Sequence, residues 1–403
     1  MKRLLLFFAM LCITSSVFAI KITYGPYIQN VTEDSFTLVW TTDKDAVSWV
    51  EIAPKDGNHF YAFERPKYFQ TTLGRKCIGK LHRITIPNLD KGATYQYRIY
   101  SQEVTSEKGS RPLYGRVAAT RIFGYRSLFA LTMDYEKPTV RCLVLNDLHS
   151  GSTLQEVLLK KFSITPKGRP INGTERKQDT KNFKVKRQYD MFFYNGGMAT
   201  SSEDKPSRVF NDFLDISAKT FADELPIYMV RGVSESWGKL GLNYMDYFPS
   251  TTNKPYYIVR QGPVCFIVLD SGFDKKDKDS GYDFESYRAQ EALWLKEALQ
   301  SEEVKSAKFR VALMNIPPVA EAAPVGEELR TLFVPTLEKA GIDLMLCGYT
   351  GNAQMYEAGT KAKFPILVNS NKNMITLEAS ATKMHIFVTN FGGESVNNYT
   401  FEK

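Results

Sequence analysis

The sequence predicts a two-domain protein in which an all-β sandwich precedes an α/β domain. The 403-residue chain is 43% apolar and 24% charged, which is ordinary for a soluble globular protein with two cores. Short alternating segments separated by turn residues fill the first third, and continuous apolar runs alternating with helical stretches fill the rest. The expected boundaries are residues 20–134 for the sandwich and 135–403 for the α/β domain.

Residues 1–19 are predicted to be a secretory signal peptide. Lys2 and Arg3 precede an apolar stretch at residues 4–13, and a small-residue cleavage site ends at Ala19. The apolar stretch is shorter than the roughly 20 residues of a spanning helix, and no later segment qualifies as one. We therefore expect an exported protein, periplasmic, cell-surface or secreted, that is cleaved near Ala19 and has no transmembrane segment in its mature chain.

Positive charge is concentrated in one segment. The chain has a formal net charge of +8, and residues 160–188 hold ten Lys or Arg against two acidic residues. One interpretation is a solvated insertion in the α/β domain. The other is a patch for an anionic partner, such as an acidic glycan or membrane headgroups.

Residues 20–132 show the pattern of a β-sandwich. Phe36, Leu38 and Trp40 alternate with two threonines and a valine, and further strands are expected at residues 47–52, 82–86, 95–100 and 117–122. The passage from His82 to Arg98 resembles the late strands of a fibronectin type III-like domain. In particular, it is similar to the N-terminal domain of purple acid phosphatases.

From residue 139 onward the pattern is typical of a sheet buried on both faces. Continuous apolar runs predict strands at residues 140–145, 191–194, 227–230, 264–269, 309–314 and 343–346. Helical spacing of apolar residues predicts helices at 208–221, 287–300 and 329–340, and strand-like alternation returns after Phe364. Functional loops in such a sheet follow the carboxyl ends of parallel strands, so polar residues after these runs are the site candidates.

Asp147 and His149, which follow the first run, place a carboxylate and an imidazole on one short loop. Such a pair suits a divalent transition metal. Five segments in order, beginning with Asn146-Asp147-Leu148-His149, resemble the motifs of the calcineurin-like metallophosphoesterase family. The resemblance runs from about residue 139 to near the C-terminus. It implies an αββα-type sandwich whose dinuclear metal centre hydrolyses phosphoric esters, with Asp147 and His149 on the first metal.

The later motifs keep their positions but lose the expected residues. The resemblance implies a bridging carboxylate, further metal ligands and a proton donor, and none of these catalytic or ligating groups is intact. Gly197 stands at the position of the bridge, and Ser234 stands at that of the proton donor. The other degenerate ligand positions are Val233, Asn315, Tyr349 and Gly351.

The residual ligand set predicts at most one divalent transition metal (Mn, Fe or Zn), bound weakly or not at all by Asp147 and His149. Two divalent ions about 3.5–4 Å apart need bridging and terminal anions, which one aspartate does not supply. One alternative is a hydrogen-bonded Asp147–His149 pair that stabilises its loop. Another is ligand relocation, which would complete a mononuclear site from Glu235, Asp270, Asn315 or Tyr349.

Three hypotheses of function follow. The first is a pseudoenzyme, an exported family member that has lost most of its metal site and binds a ligand or protein partner in the former active-site cleft. The second is a phosphomonoester or phosphodiester hydrolase with weak activity on a single residual metal. The third is a binder of acidic glycan or membrane headgroups through residues 160–188.

Overall fold

The computed structural model describes residues 19–108, 111–119, 128–162, 188–199 and 209–403. Within them the chain is a mixed α/β protein with one seven-stranded sheet, two six-stranded sheets and a two-stranded hairpin. The predicted signal peptide up to residue 18 and the basic segment from 163 to 187 lie outside these residues. None of the helices in the described ranges is long and apolar enough to cross a membrane.

The first sheet is built from strands that precede residue 132, and its neighbouring strands are antiparallel. In chain order the strands of this region are Ile22–Gln29 (β1), Phe36–Pro54 (β2), Lys67–Phe69 (β3), Thr71–Thr72 (β4), Arg75–Lys76 (β5), Gly79–Ile86 (β6), Thr94–Ser106 (β7), Leu113–Ala119 (β8) and Leu128–Leu131 (β9). Strands β4 and β5 pair only with each other. The predicted strand at 117–122 is observed up to Ala119, beyond which its residues lie outside the described ranges.

Strand β2 is one continuous element, although the sequence predicted separate strands at 36–41 and 47–52. It pairs with β1 and β6 along its first half and with β3 and β7 along its second half. A register shift against β6 after Thr41 marks the change of partners. The chain therefore exchanges its neighbours without breaking the strand, which a local sequence pattern does not reveal.

Two six-stranded sheets form the remainder of the protein. Their strands are Val140–Leu145 (β10), Met191–Asn195 (β11), Ile227–Val230 (β12), Tyr257–Gln261 (β13), Val264–Val268 (β14), Phe309–Leu313 (β15), Leu344–Cys347 (β16), Gln354–Tyr356 (β17), Ile366–Val368 (β18), Asn373–Ala379 (β19), Lys383–Asn390 (β20) and Ser395–Glu402 (β21). The orders are β12-β11-β10-β19-β20-β21 and β13-β14-β15-β16-β18-β17. All six predicted apolar runs are strands, to within one residue at each end.

The two sheets pack against each other through their inner faces. Phe193 of β11 and Phe266 of β14 meet with ring centroids 4.7 Å apart, inside one apolar cluster that includes strands of both sheets. The outer faces are covered by helical segments. These are Gly151–Phe162, Phe210–Leu214, Asp215–Ser217, Ala218–Ala222, Val233–Ser236, Gly238–Tyr247, Phe284–Ala298, Glu302–Lys305 and Gly326–Ala340. The short helix Asp277–Ser280 buries no residue.

The N-terminal sheet is joined to the α/β part by apolar packing and by buried tyrosine hydroxyls. Tyr27 and Val39 belong to the same apolar cluster as the helices outside β10 and β11. The Tyr27 hydroxyl donates to the backbone oxygen of Tyr247 (2.9 Å), and that of Tyr97 donates to the backbone oxygen of Asp223 (2.5 Å). Because each hydroxyl is buried and satisfied, these contacts fix the two parts against each other.

Parallel pairing determines where the loops meet. Strands β10, β11 and β12 are parallel to one another, and so are β14, β15, β16 and β18. The carboxyl ends of each parallel set lie at one edge of its sheet. The loops that contain Asp147, Gly197, Asn315 and Tyr349 all follow such ends, as the sequence analysis predicted.

Candidate functional site

Backbone hydrogen bonds join these loops directly. The N–H groups of Asp147 and His149 donate to the backbone oxygens of Gly196 and Gly197, at 2.8 and 2.9 Å. The Gly348 N–H donates to the backbone oxygen of Asn315 at 2.9 Å. The loops that follow β10, β11, β15 and β16 are thereby held in one layer around the Asp147 side chain.

The Asp147 carboxylate lies at the centre of this layer and is occupied by protein donors. It is 7% exposed. One oxygen, Oδ2, accepts the Tyr349 N–H at 2.6 Å and the Asn146 side-chain amide at 2.9 Å. The other, Oδ1, accepts the Asn315 side-chain amide at 3.2 Å. Burial raises the pKa of Asp147, while these donors and nearby His149 act to lower it.

Asn315 takes the place of a histidine in the motif, and it faces Asp147 as a donor. Its Nδ2 also donates to the backbone oxygen of Asn195 at 2.6 Å. Both partners of this amide are acceptors, so the amide nitrogen must point at them and the oxygen must point away. Asn315 therefore turns an N–H donor toward the Asp147 carboxylate. A metal ligand at this position would instead have to offer a lone pair.

Gly197, the expected bridging position, has no room for a side chain. A Cβ placed there would lie 2.3 Å from Asp147 Oδ1, and the residue has φ +63°. A Cβ at Gly348 would lie 2.5 Å from Asp147 Oδ2. The two loops approach the carboxylate from both sides to a distance that only glycine permits.

Glu235 is engaged by backbone donors. Its Oε1 accepts the N–H groups of Met198 and Ala199, each at 2.8 Å, and its Oε2 accepts those of Gly197 and Gly232, at 3.0 and 3.1 Å. Burial raises the pKa of Glu235 and so does the charge of Asp147, whereas the backbone N–H groups lower it. This carboxylate holds the β11 and β12 loops together and has little acceptor capacity left for a cation.

Asp270 pairs with Arg231 in a buried cluster. The Arg231 guanidinium lies 2.5 Å from Asp270 Oδ2, and the Tyr287 hydroxyl donates to the same oxygen at 2.7 Å. The guanidinium also lies 5.3–5.7 Å from the ring centroids of Tyr244, Phe284 and Tyr287. The buried anion is thus compensated by a protein cation and a hydroxyl.

His149 is exposed on its loop, and within the described ranges only one of its ring nitrogens has a hydrogen-bond partner. Its Nδ1 lies 3.3 Å from the backbone oxygen of Ala199. Since a carbonyl oxygen only accepts, Nδ1 carries a proton in this contact, and in the neutral form of the ring Nε2 would have the lone pair. Metal-binding histidines commonly use this tautomer. Asp147 and His149 both have positive φ, 52° and 48°, so the loop is strained at both residues.

The remaining degenerate positions serve packing or local hydrogen bonding. Ser234 Oγ donates to Glu235 Oε1 at 3.2 Å, and Val233 contacts the apolar cluster outside the second sheet. The Tyr349 hydroxyl donates to Asp274 at 3.0 Å. Gly351 has φ +74° and open space around its Cβ position.

The arrangement does not fit the dinuclear centre that the family resemblance implies. In the described part of the chain, no group of three or more His, Cys, Asp or Glu side chains is arranged to hold a metal ion. Protein N–H groups occupy the Asp147 carboxylate on both oxygens, and the candidates for relocation, Glu235 and Asp270, are committed to other partners. A divalent ion at Asp147 would compete with these donors for the carboxylate and would gain few anionic ligands in return.

Sequence reasoning missed several members of the site. Asn369, 1% exposed, donates its amide to Asn146 Oδ1 at 2.6 Å and accepts from Asn146 through its backbone oxygen at 3.2 Å. Asn369 directly follows β18, and a polar residue directly after an apolar run is the sequence signal by which it could have been predicted. Glu291 and Arg288, both fully buried, lie on the helix Phe284–Ala298 and gave no such signal.

No protein-family model matches the sequence, and no curated protein matches it. Solved structures that resemble the chain include GAP50, described as the anchor in the inner membrane complex of Plasmodium (14% identity, TM-score 0.44), which the match covers to 89%. Others are a dimetal phosphatase from Danio rerio (9%, 0.41) and Vacuolar Protein Sorting 29 from Cryptosporidium parvum (10%, 0.31), each covered to 99%. Each match spans 66% of this chain.

Proposed function

We propose that this chain is a non-catalytic binding protein built on a calcineurin-like metallophosphoesterase scaffold. One observation carries the proposal: the Asp147 carboxylate, the anion at the centre of the converging loops, accepts three protein hydrogen bonds, from Tyr349, Asn146 and Asn315. Amide groups supply the positive partial charge that metal ions supply in the family.

The chemistry of phosphoester hydrolysis supports this proposal. In-line attack needs an activated hydroxide and neutralisation of charge on the leaving oxygen, which two metal ions provide in such enzymes. Here the bridging position is Gly197 and the proton-donor position is Ser234, whose hydroxyl donates to Glu235. Neither residue replaces the missing function.

The domain assignment and the export are part of the same proposal. The antiparallel sheet before residue 132 is compatible with a fibronectin type III-like domain of the purple acid phosphatase type, and the resemblance of residues 82–98 favours that assignment. The basic and apolar pattern of residues 1–19 favours export. A ligand or protein partner would then bind at the loop edge around Asp147 outside the cytoplasm.

A direct assay tests the absence of catalysis. The purified protein is incubated separately with manganese, iron and zinc ions, and hydrolysis of p-nitrophenyl phosphate and bis-p-nitrophenyl phosphate is measured. The proposal predicts rates equal to those of an Asp147→Ala variant with every ion. A metal-dependent rate that this variant abolishes would overturn it.

A second candidate function, weak hydrolysis on a single metal, has one observation in its favour. His149 Nδ1 donates to the backbone oxygen of Ala199, which leaves Nε2 as the ligating nitrogen of a neutral imidazole. In this candidate a cation would compete with the Asn315 amide for Asp147 Oδ1. The assay described above distinguishes it from the binding protein.

The third candidate concerns the basic segment 160–188, most of which lies outside the described residues. Its excess of positive charge would favour an acidic glycan or anionic headgroups. Binding to heparin or to phosphatidylserine vesicles should then weaken steeply as salt is raised. Binding whose affinity does not change with salt concentration would exclude electrostatic binding through residues 160–188.

A further inference from the structure

A separate cavity of about 240 Å³ lies where the N-terminal sheet meets the α/β part. Its walls come from the turn after β1, from the segment that joins the two parts, from β13 and from the helices Phe284–Ala298 and Glu302–Lys305. None of its lining residues belongs to the loops around Asp147. The volume is below the roughly 300–1,000 Å³ of pockets for drug-sized ligands, so the cavity suits a molecule of about one ring.

The cavity combines an apolar floor with aromatic walls. Val31 and Met133 are buried apolar residues in its lining. The rings of Tyr135 and Trp294 also line it, and each is half-buried. Trp294 is held by Tyr256, with ring centroids 4.7 Å apart. Aromatic faces of this kind pack against apolar C–H surfaces of a ligand.

Three lining residues have unused hydrogen-bonding capacity. Among the described residues, no hydrogen-bond partner is found for the Asn30 side-chain amide or for the Trp294 indole N–H. The Glu303 carboxylate accepts one hydrogen bond, from the Tyr135 hydroxyl at 2.9 Å. The lining residues therefore include possible donors in Asn30 and Trp294 and possible acceptors in Asn30 and Glu303.

The one buried cation of the cavity is already engaged, which argues against an anionic ligand. Arg260 donates to the backbone oxygens of Glu303 (3.0 Å) and Gly262 (3.4 Å) and to Ser306 Oγ, and its guanidinium lies 5.0 Å from the centroid of the Tyr135 ring. The Glu303 carboxylate would repel a second anion. The fitting ligand is therefore neutral and both donates and accepts hydrogen bonds.

We propose that this cavity binds a single neutral sugar ring. The C–H faces of a pyranose would pack against Tyr135 or Trp294, and its hydroxyls would donate to Glu303 and accept from Asn30 and the Trp294 indole. The site is independent of the Asp147 loops. Its existence does not depend on whether the protein is an enzyme.

Tryptophan emission tests the proposal on the full-length protein. Glucose, galactose, mannose and N-acetylglucosamine are titrated up to high millimolar concentration, and the emission change is compared between the wild type and Trp294→Phe. At least one sugar should give a saturable change that Trp294→Phe removes. The chain has four tryptophans, so a change that persists in Trp294→Phe would place the binding elsewhere and overturn the proposal.

A matched pair of variants tests the polar contact. Glu303→Gln should weaken the binding of the responding sugar by about tenfold, because a charge-assisted acceptor is lost. Its neighbour Glu302, which is exposed and is not among the lining residues, gives the control Glu302→Gln with unchanged affinity. Equal affinities in the two variants would contradict the proposed contact.

Ligand-detected saturation-transfer NMR on the wild type gives a readout that needs no variant. Ring protons of the responding sugar should receive saturation from the protein, and N-acetylneuraminate, an anionic sugar, should not compete. If no neutral sugar receives saturation, or if the anionic sugar binds more tightly, the proposal fails.

Discussion

Asn315 donates its side-chain amide to Asp147 Oδ1 at 3.2 Å and to the backbone oxygen of Asn195 at 2.6 Å, so one neutral amide joins three loops at the centre of the site.

The Asn315→Asp variant would replace this NH₂ donor with a carboxylate oxygen. That oxygen would face two other acceptors, Asp147 Oδ1 and the backbone oxygen of Asn195. We expect a loss of about 1–3 kcal/mol in the free energy of unfolding without metal, with part of it restored by millimolar manganese. Urea denaturation with and without the ion measures both. Asn397→Asp on the exposed strand β21 is the control, and an equal loss there would contradict the account.

Glu235→Gln should destabilise the protein although the side chain keeps its shape. Each carboxylate oxygen accepts two backbone N–H groups, so either orientation of the glutamine amide places an NH₂ group against N–H donors. The expected loss is about 2 kcal/mol or more in the free energy of unfolding. Glu297, which is exposed, supplies the control Glu297→Gln with a change near zero. Stability unchanged in both variants would show that the Glu235 network is not a structural clamp.

Comparing the variants Gly197→Ala and Gly351→Ala distinguishes two costs of an added Cβ, the steric clash with neighbouring atoms and the strain of a positive φ. Both residues have positive φ, +63° and +74°, so the conformational cost of an added Cβ is similar. Only at Gly197 does the Cβ meet an atom, Asp147 Oδ1 at 2.3 Å, while nothing lies within 4 Å at Gly351. We expect Gly197→Ala to lose about 1–3 kcal/mol more than Gly351→Ala in urea denaturation. Equal losses would mean that the loop has space for a side chain at the bridging position.

The buried pair Arg231–Asp270 should contribute far more than an exposed pair of similar length. Asp270→Asn leaves the guanidinium buried without its anion, and we expect a loss of about 3–5 kcal/mol in the free energy of unfolding. The exposed pair Arg330–Glu327, whose closest atoms are 2.6 Å apart, should lose less than about 1 kcal/mol in Glu327→Gln. Thermal and urea unfolding of both variants measures the two losses of unfolding free energy. Comparable losses would contradict the claim that burial makes the Arg231–Asp270 pair the stronger one.

Glu291 gives the stability a defined pH dependence. It is fully buried, and burial followed by the charge of Asp270 raises its pKa well above the ordinary 4.5, while Arg231 and Arg288 act to lower it. Its folded form holds the proton more tightly than the unfolded chain does. The stabilisation from protonated Glu291 is therefore complete below pH 4.5 and is lost as pH rises through the folded pKa.

The Glu291→Gln variant isolates this effect, because it keeps an oxygen for the Asp270 N–H, which donates to Glu291 Oε1 at 2.8 Å. Urea midpoints measured from pH 5 upward should fall for the wild type and vary less for the variant. Parallel curves for the two proteins would show that Glu291 does not titrate differently on folding.

The sequence predicts the strands of the α/β part well because their signal is local. The run Ile227–Val230 is buried on both faces, and Val140–Leu145 is buried except at Arg141, so both lack polar alternation and each is followed directly by a polar residue. The position of Asp147 at the loop edge follows from the same reasoning. The single strand β2 was missed because its continuity depends on an exchange of partners far apart in sequence.

The partners of the site residues could not be predicted, since they depend on contacts between loops that are distant along the chain. Asn315 and Asp147 are separated by 168 residues, and Asn369 and Asn146 by 223. A residue type restricts what a side chain can do, but the tertiary fold decides whether an aspartate faces an amide or a cation. The close approach of Gly197 to Asp147 is likewise a property of two loops together.

Metal content per chain tests the central claim most directly. The purified protein is incubated with manganese, iron and zinc, loosely bound ions are removed, and the metal is quantified by inductively coupled plasma mass spectrometry beside Asp147→Ala. Since protein donors occupy the Asp147 carboxylate, we predict occupancy far below one ion per chain and no difference between the two proteins. Occupancy near one ion that Asp147→Ala abolishes would contradict the account, and occupancy near two would show that a dinuclear centre forms in spite of the missing ligands.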